Sequence, residues 1–166
     1  MVEKVYGNGW FTLKLKAKTA ADLMTANVVS VRDIATVKEA IACFIDKGIS
    51  AAPVIDEAGH PVGVLSQTDI VIHDREKVRY LPAFTGPVNY EEIDLDEFQI
   101  EETDHTEVRE VMTPAVFTIP ALAPATRVIE EMTAMNVHRL FVVDASGVLV
   151  GVISTLDVLR HLEVQK

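Results

Sequence analysis

Twice in this chain a serine and an aspartate stand three residues apart, each pair two apolar residues after a glycine: Gly63-Val64-Leu65-Ser66-Gln67-Thr68-Asp69 and Gly151-Val152-Ile153-Ser154-Thr155-Leu156-Asp157. The spacing joins three chemical features. Glycine inside a strand leaves the backbone open to close approach. Serine where strand gives way to helix sets a hydroxyl beside free N–H groups, which attract anions. The aspartate then presents a carboxylate that can accept from vicinal hydroxyls, as on a ribose. Ser-x-x-Asp is equally a capping arrangement that satisfies the first-turn N–H groups and binds nothing. A further signal occurs once, at His138-Arg139-Leu140, where the first half has Ser50-Ala51-Ala52. Arginine offers a planar fork for phosphate oxygens and histidine a further donor. The alternative is that Arg139 pairs with a surface carboxylate and His138 caps a loop.

These segments belong to a repeat. Adding 88 to a position lands on its counterpart: Met24-Thr25 on Met112-Thr113, Asp56 on Asp144, Gly59 on Gly147. Across residues 22–70 and 110–158, 13 of 49 positions are identical. Such self-similarity marks a tandem unit whose members bury their faces together. Each copy reads as strand, helix, strand, strand, helix. The β-branched runs Val28–Val31 and Val116–Ile119 are the first strands, after a helical turn at Ala21–Met24 in the first copy. Val37, Ile41, Phe44 and Ile45, and then Val128, Ile129, Met132 and Met135, recur at helical spacing. Both helices should stop at Gly48 and Asn136, residue types that tolerate the left-handed conformation. Ala52–Ile55 with Pro61–Leu65, and Leu140–Val143 with Leu149–Ile153, form hairpins through Asp-x-x-Gly turns. Helices over Thr68–Asp74 and Leu156–Leu162 close the copies.

The remainder divides accordingly: an arm over 1–19, the first repeat over 20–74, an acidic connector over 75–107, and the second repeat over 108–166. Trp10, Phe11, Leu13 and Leu15 give the arm an apolar edge to dock on the body or a partner subunit. Pro82, Gly86 and Pro87 punctuate the connector, and Glu91, Glu92, Asp94, Asp96 and Glu97 make it acidic without the glycine and bidentate glutamate of a calcium loop.

The 166 residues suffice for one compact domain, and a 49% hydrophobic composition excludes a wholly disordered chain. No apolar run approaches the ~20 residues that span a bilayer, and residues 1–20 lack a signal-peptide core. A soluble cytoplasmic protein is expected. The net charge of −10 argues against nucleic acid as partner, though not against a small anion. Cys43 is the only cysteine, which excludes internal disulfides and thiolate zinc sites. No metal site is expected, and no nucleophile with a neighbouring base suggests an enzyme.

Residues 20–72 and 108–162 resemble a tandem pair of CBS (cystathionine β-synthase) domains, a Bateman module. The resemblance rests on the Met24-Thr25 and Met112-Thr113-Pro114 openings, the strands before Asp56 and Asp144, and both Gly-h-h-Ser-x-x-Asp segments, where h is apolar. Val137-His138-Arg139-Leu140 with Val142-Val143-Asp144 is similar to a segment of the regulatory γ subunit of AMP-activated protein kinase. The resemblance implies an α+β fold, with β-α-β-β-α repeats packed sheet to sheet about a pseudo-twofold. It also implies clefts for adenosine compounds: AMP, ADP, ATP or S-adenosylmethionine. Asp69 and Asp157 would hold ribose hydroxyls. Ser66 and Ser154, with Thr155, would sit by ribose or phosphate, and His138 and Arg139 would contact phosphates. Val28, Val29, Val116 and Phe117 would flank the adenine. Because the copies differ at Ser50-Ala51 and His138-Arg139, two unequal clefts are expected.

The reading is therefore a regulatory sensor that binds an adenine nucleotide, forms a homodimer and changes contacts with a regulated protein. The alternatives are a ligand-free docking module, whose serines and aspartates are caps only, or an S-adenosylmethionine-binding pair.

Overall fold

A computed structural model describes residues 3–5, 10–78 and 105–165. The elements run β1 (Glu3–Val5), β2 (Trp10–Leu15), α1 (Ala20–Leu23), β3 (Thr25–Ala26), β4 (Val31–Arg32), α2 (Val37–Lys47), β5 (Ala51–Ile55), β6 (Pro61–Ser66) and α3 (Gln67–Val78). The second half continues with α4 (Val108–Val111), β7 (Thr118–Pro120), α5 (Ala125–Met135), β8 (Arg139–Val143), β9 (Leu149–Ser154), α6 (Thr155–Arg160) and β10 (Leu162–Gln165). The connector residues singled out between Pro82 and Glu97 lie outside the described set, as do the side chains of Trp10 and Phe11.

Local signals account for most of the boundaries. Thr36 accepts from the Glu39 N–H, and the Glu39 carboxylate reaches back to Thr36, so α2 opens on a capping box. Gly48 and Asn136 end α2 and α5 in the left-handed conformation, at φ 62° and 53°. The hairpin turns close on Gly59 and Gly147, also left-handed, at φ 89° and 84°.

Each repeat builds a small mixed sheet, β4-β5-β6 in the first and β7-β8-β9 in the second, with the first strand parallel and the hairpin antiparallel. Strand alternation divides the residues between two faces. Ala52, Val54 and Leu65 are buried with Val37, Ala40 and Phe44 of α2, and Leu140, Val142 and Ile153 with Val128 and Met132 of α5. The residues between them, Pro53 and Val64 against Phe141 and Val152, line a shared cleft between the repeats.

The opening segments exchange partners. Ala20 and Leu23 of α1 belong to the core of the second repeat, and Val108 of α4 to the core of the first. Ala20 and Ala21 donate to the carbonyls of Ala123 and Ala121, while Val108 and Arg109 donate to those of Ala35 and Asp33. β3 then adds to the edge of β9, and Thr113 bridges to Val64 of β6.

Three expectations need correction. The first strands begin later, at Val31 and Thr118: Val28–Ser30 and Val116–Phe117 belong to no strand, although the Phe117 carbonyl accepts from the Phe141 N–H of β8 at 2.8 Å. The last helix stops at Arg160, and Leu162–Gln165 pairs antiparallel with β2, which docks the arm on the body. Helix α3 begins earlier, at Gln67, and runs on through Val78.

Candidate functional site

The strand glycines have a structural cause. A Cβ on Gly151 would lie 2.6 Å from Met24 Sδ and 2.9 Å from the Thr25 carbonyl; on Gly63 it would lie 2.5 Å from Met112 Sδ and 2.9 Å from the Thr113 carbonyl. What approaches each glycine is therefore the Met-Thr opening of the other repeat.

Past the glycine, Ser154 caps α6 and Asp157 closes the cap. Asp157 Oδ2 accepts from the Ser154 N–H at 2.8 Å and from its hydroxyl at 2.6 Å, while the Asp157 N–H donates to Ser154 Oγ at 3.3 Å. Ser66 and Asp69 repeat the same bonds at 2.8, 2.6 and 3.3 Å. The capping arrangement is thus present in both copies. It leaves one carboxylate oxygen in each. Among the described residues, Asp157 Oδ1 meets only Arg160 Nη1, at 3.4 Å, and Asp69 Oδ1 only the Thr113 hydroxyl, at 3.4 Å. Asp157 is 8% exposed, the one charged side chain that is buried among the described residues.

The cleft between the repeats has a volume of about 630 Å³. Val28, Val29 and Phe117 line it, as do Arg139, Ser154 and Asp157. The hairpin register explains one neighbour pair: Arg139 stands directly opposite Ser154 on β8 and β9. Among the described residues Arg139 makes no ion pair, so its guanidinium is the free cation of the cleft. Ser66, Asp69, Val116, His138 and Thr155 do not line it. The His138 carbonyl accepts from the Thr155 N–H at 3.1 Å and from its hydroxyl at 3.3 Å.

Sequence reasoning missed several lining residues, among them Thr25, Asn27, Ile49, Pro53 and Phe141. Strand alternation could have found Phe141, which shares the Arg139 face of β8. Asn27 carries its own signal in being a residue that tolerates φ 54°.

Two copies of one unit, sheets facing across a shared cleft and opening helices exchanged, define a pseudo-symmetric two-repeat module. The chain belongs to the CBS domain family, which it matches over residues 20–76 and 108–164. It is 32% identical over 137 residues to the gamma-3 subunit of 5'-AMP-activated protein kinase from Bos taurus, covering 79% of this chain and 24% of that subunit. The chain thus spans about a quarter of that relative's length. Over 153 residues it is 29% identical to an uncharacterised protein of Methanocaldococcus jannaschii, covering 85% of this chain and 89% of the other. Among solved structures it is similar to CBSX2 in complex with AMP (TM-score 0.61, 25% identity, 87% of this chain and 95% of that one). It is also similar to the cytosolic domain of the Mg2+ channel MgtE in complex with ATP (TM-score 0.62, 26% identity, 88% and 49%). Among the described residues no helix is long and apolar enough to cross a membrane.

Proposed function

We propose that the chain is a regulatory module that binds an adenine nucleotide in the cleft between its repeats. One observation carries the reading: a free arginine, a serine at a helix N-terminus and a buried aspartate share a cleft with apolar side chains from both repeats. In this reading the base lies between Val28, Val29 and Phe117. Asp157 Oδ1 accepts a ribose hydroxyl once the exposed Arg160 side chain swings aside. Ser154 lies beside the ribose or phosphate, and Arg139 meets the phosphate in charge-assisted bonds. A single cation suits one phosphate better than three, which orders the affinities AMP, ADP, ATP. Relatives solved with AMP or ATP support the ligand class. Ser66, Asp69, Val116 and His138 belong to the pseudo-symmetric corner, proposed as a weaker second site, while Thr155, next to Ser154, keeps its hydroxyl on the His138 carbonyl. The module is non-catalytic, acts as a homodimer, and alters contacts with a regulated protein by favouring the conformation in which its cleft is occupied.

The closed Ser-x-x-Asp caps favour a second reading, in which the module docks on a partner and binds no nucleotide. A thermal-shift panel of AMP, ADP, ATP and S-adenosylmethionine separates the two. A ligand at about 100 times its Kd stabilises the fold by about 2.7 kcal/mol. No shift with any of them at millimolar concentration rejects the nucleotide reading. A shift with S-adenosylmethionine alone reassigns the ligand. Arg139→Ala should weaken AMP while sparing adenosine; equal loss of both would show that Arg139 does not meet phosphate.

A further inference from the structure

The two Asp-x-x-Gly turns meet across the pseudo-twofold, and the junction is asymmetric at a single step. Leu149 donates its N–H to the Gly59 carbonyl at 3.0 Å. The reciprocal donor would be residue 61, which is proline and has no N–H. The neighbouring side chain makes the link instead. His60 Nε2 lies 3.0 Å from the Ser146 carbonyl in the facing turn, and Nδ1 lies 3.1 Å from Asp56 Oδ2 in its own. The ring is seated on Gly147, where a Cβ would come within 3.2 Å of His60 Cδ2. Its counterpart Val148 sits at the same 3.2 Å from the Cβ position of Gly59, but has no polar atom to offer.

Both atoms facing the ring nitrogens are acceptors. A neutral imidazole carries one N–H and satisfies only one of them, whereas the imidazolium satisfies both. The charged groups around the ring are acidic on both hairpins: Asp56 and the exposed Glu57 on its own turn, Asp144 on the facing one. The hydrogen bond to Asp56, then that to the Ser146 carbonyl and the charge of Asp56, hold the His60 pKa above the ordinary histidine value.

We propose that His60 is a proton-operated clamp between the repeats, tying the Asp56–Gly59 turn to the Asp144–Gly147 turn when charged and releasing one acceptor when neutral. The clamp borders a second cavity of about 330 Å³, lined by Gly59, Val148, Asn27 and Val28. Asn27 and Val28 also line the larger cleft, so the clamp acts on an edge that the two cavities share. Because the folded pKa is raised, the stabilisation is full below the ordinary histidine value and disappears as pH rises through the folded one.

Two measurements on the full chain test this, and neither needs a nucleotide. In a ring-proton NMR titration, the His60 midpoint should lie above about 6.5, and Asp56→Asn should lower it. Thermal unfolding of the wild type and His60→Val should differ most near pH ~5.5, with the gap narrowing to a smaller plateau by about pH 8.5. His60→Val installs the residue type that the second repeat carries there, so the fold is retained, and the other histidines titrate identically in both proteins. A midpoint at or below the ordinary value and unmoved by Asp56→Asn overturns the clamp, as does a gap of constant size across the range.

Discussion

Replacing Gly151 by alanine adds one carbon where the structure has no room. The new Cβ would sit 2.6 Å from Met24 Sδ, 3.0 Å from Met24 Cγ and 2.9 Å from the Thr25 carbonyl oxygen. A methionine side chain can yield, since its three rotatable bonds make it the most adaptable core residue. The Thr25 carbonyl cannot, because it belongs to β3, whose Thr25 and Ala26 pair with Val152 and Gly151. Relief therefore requires β3 to lift from β9, weakening ladder bonds worth about 0.5–1.5 kcal/mol each. Added to an overpacking cost of about 1–3 kcal/mol, the expected loss is about 2–4 kcal/mol. For a chain of this length, each kcal/mol moves Tm by about 2–4 °C, so a fall of about 4–16 °C is expected by calorimetry. Gly63→Ala meets Met112 and the Thr113 carbonyl at matching distances and should cost a similar amount. Met24→Ala should recover only part of the loss in the Gly151→Ala background, since it relieves the thioether contact and not the carbonyl. Either glycine variant melting within a degree of wild type would refute the argument that the crossing segments, rather than a ligand, require these glycines.

Other perturbations follow from the same packing. Leu23→Ala, although early in the chain, should cost about 2–5 kcal/mol, because Leu23 is 2% exposed in the core of the second repeat with Ile119, Leu140 and Ile153; a urea midpoint within error of wild type would contradict the exchange of opening helices. Ser154→Ala and Ser66→Ala should each cost about 1 kcal/mol as lost caps, but only Ser154→Ala should weaken the tighter AMP site in calorimetric titration, since Ser66 does not line that cleft. Asp22, Glu39 and Asp56 have pKa values lowered first by backbone N–H groups of Thr19, Thr36 and His60 respectively. Their stabilisation is present above the ordinary carboxylate range and lost as pH falls through the lowered values; Tm should drop steeply below about pH 4, and Glu39→Gln should flatten that drop.

Much of this architecture is legible because local chemistry and repeat symmetry agree. Gly48 and Asn136, or Gly59 and Gly147, announce the same backbone conformation at positions 88 apart. The exchange of opening segments is not legible, since self-similarity shows which residues are equivalent and not which copy they pack against. Val28–Ser30 misled because a β-branched run describes an extended backbone but cannot supply the neighbour that makes it a strand. β10 was hidden for the converse reason: Leu162–Gln165 is short, and its pairing depends on an arm about 150 residues away. At the site, Ser154 and Asp157 were marked by their motif and Arg139 by its departure from the repeat. Phe141, Pro53 and Ile49 carry only the generic signal of apolar residues.

The departures from symmetry cluster where the repeats face each other. Arg139 opposite Ser154 corresponds to Ala51 opposite Ser66, so the two corners share a serine and an aspartate but differ by a full positive charge. A phosphate taken from water must find a compensating cation, and among the described residues only the Arg139 corner offers one in the cleft. The corner built on Asp69 retains the hydroxyl acceptor without the cation, which suits an uncharged nucleoside or only a cap. At the opposite edge of the interface, His60 corresponds to Val148 and Pro61 to Leu149, so the hairpins are joined by a backbone bond from Leu149 to Gly59 in one direction and by the His60 ring in the other. Both asymmetries place a basic side chain in one copy and an apolar residue in the other. The common unit supplies two matching frames, and the chemistry that could answer to a ligand or a proton lies in the few positions where the frames disagree.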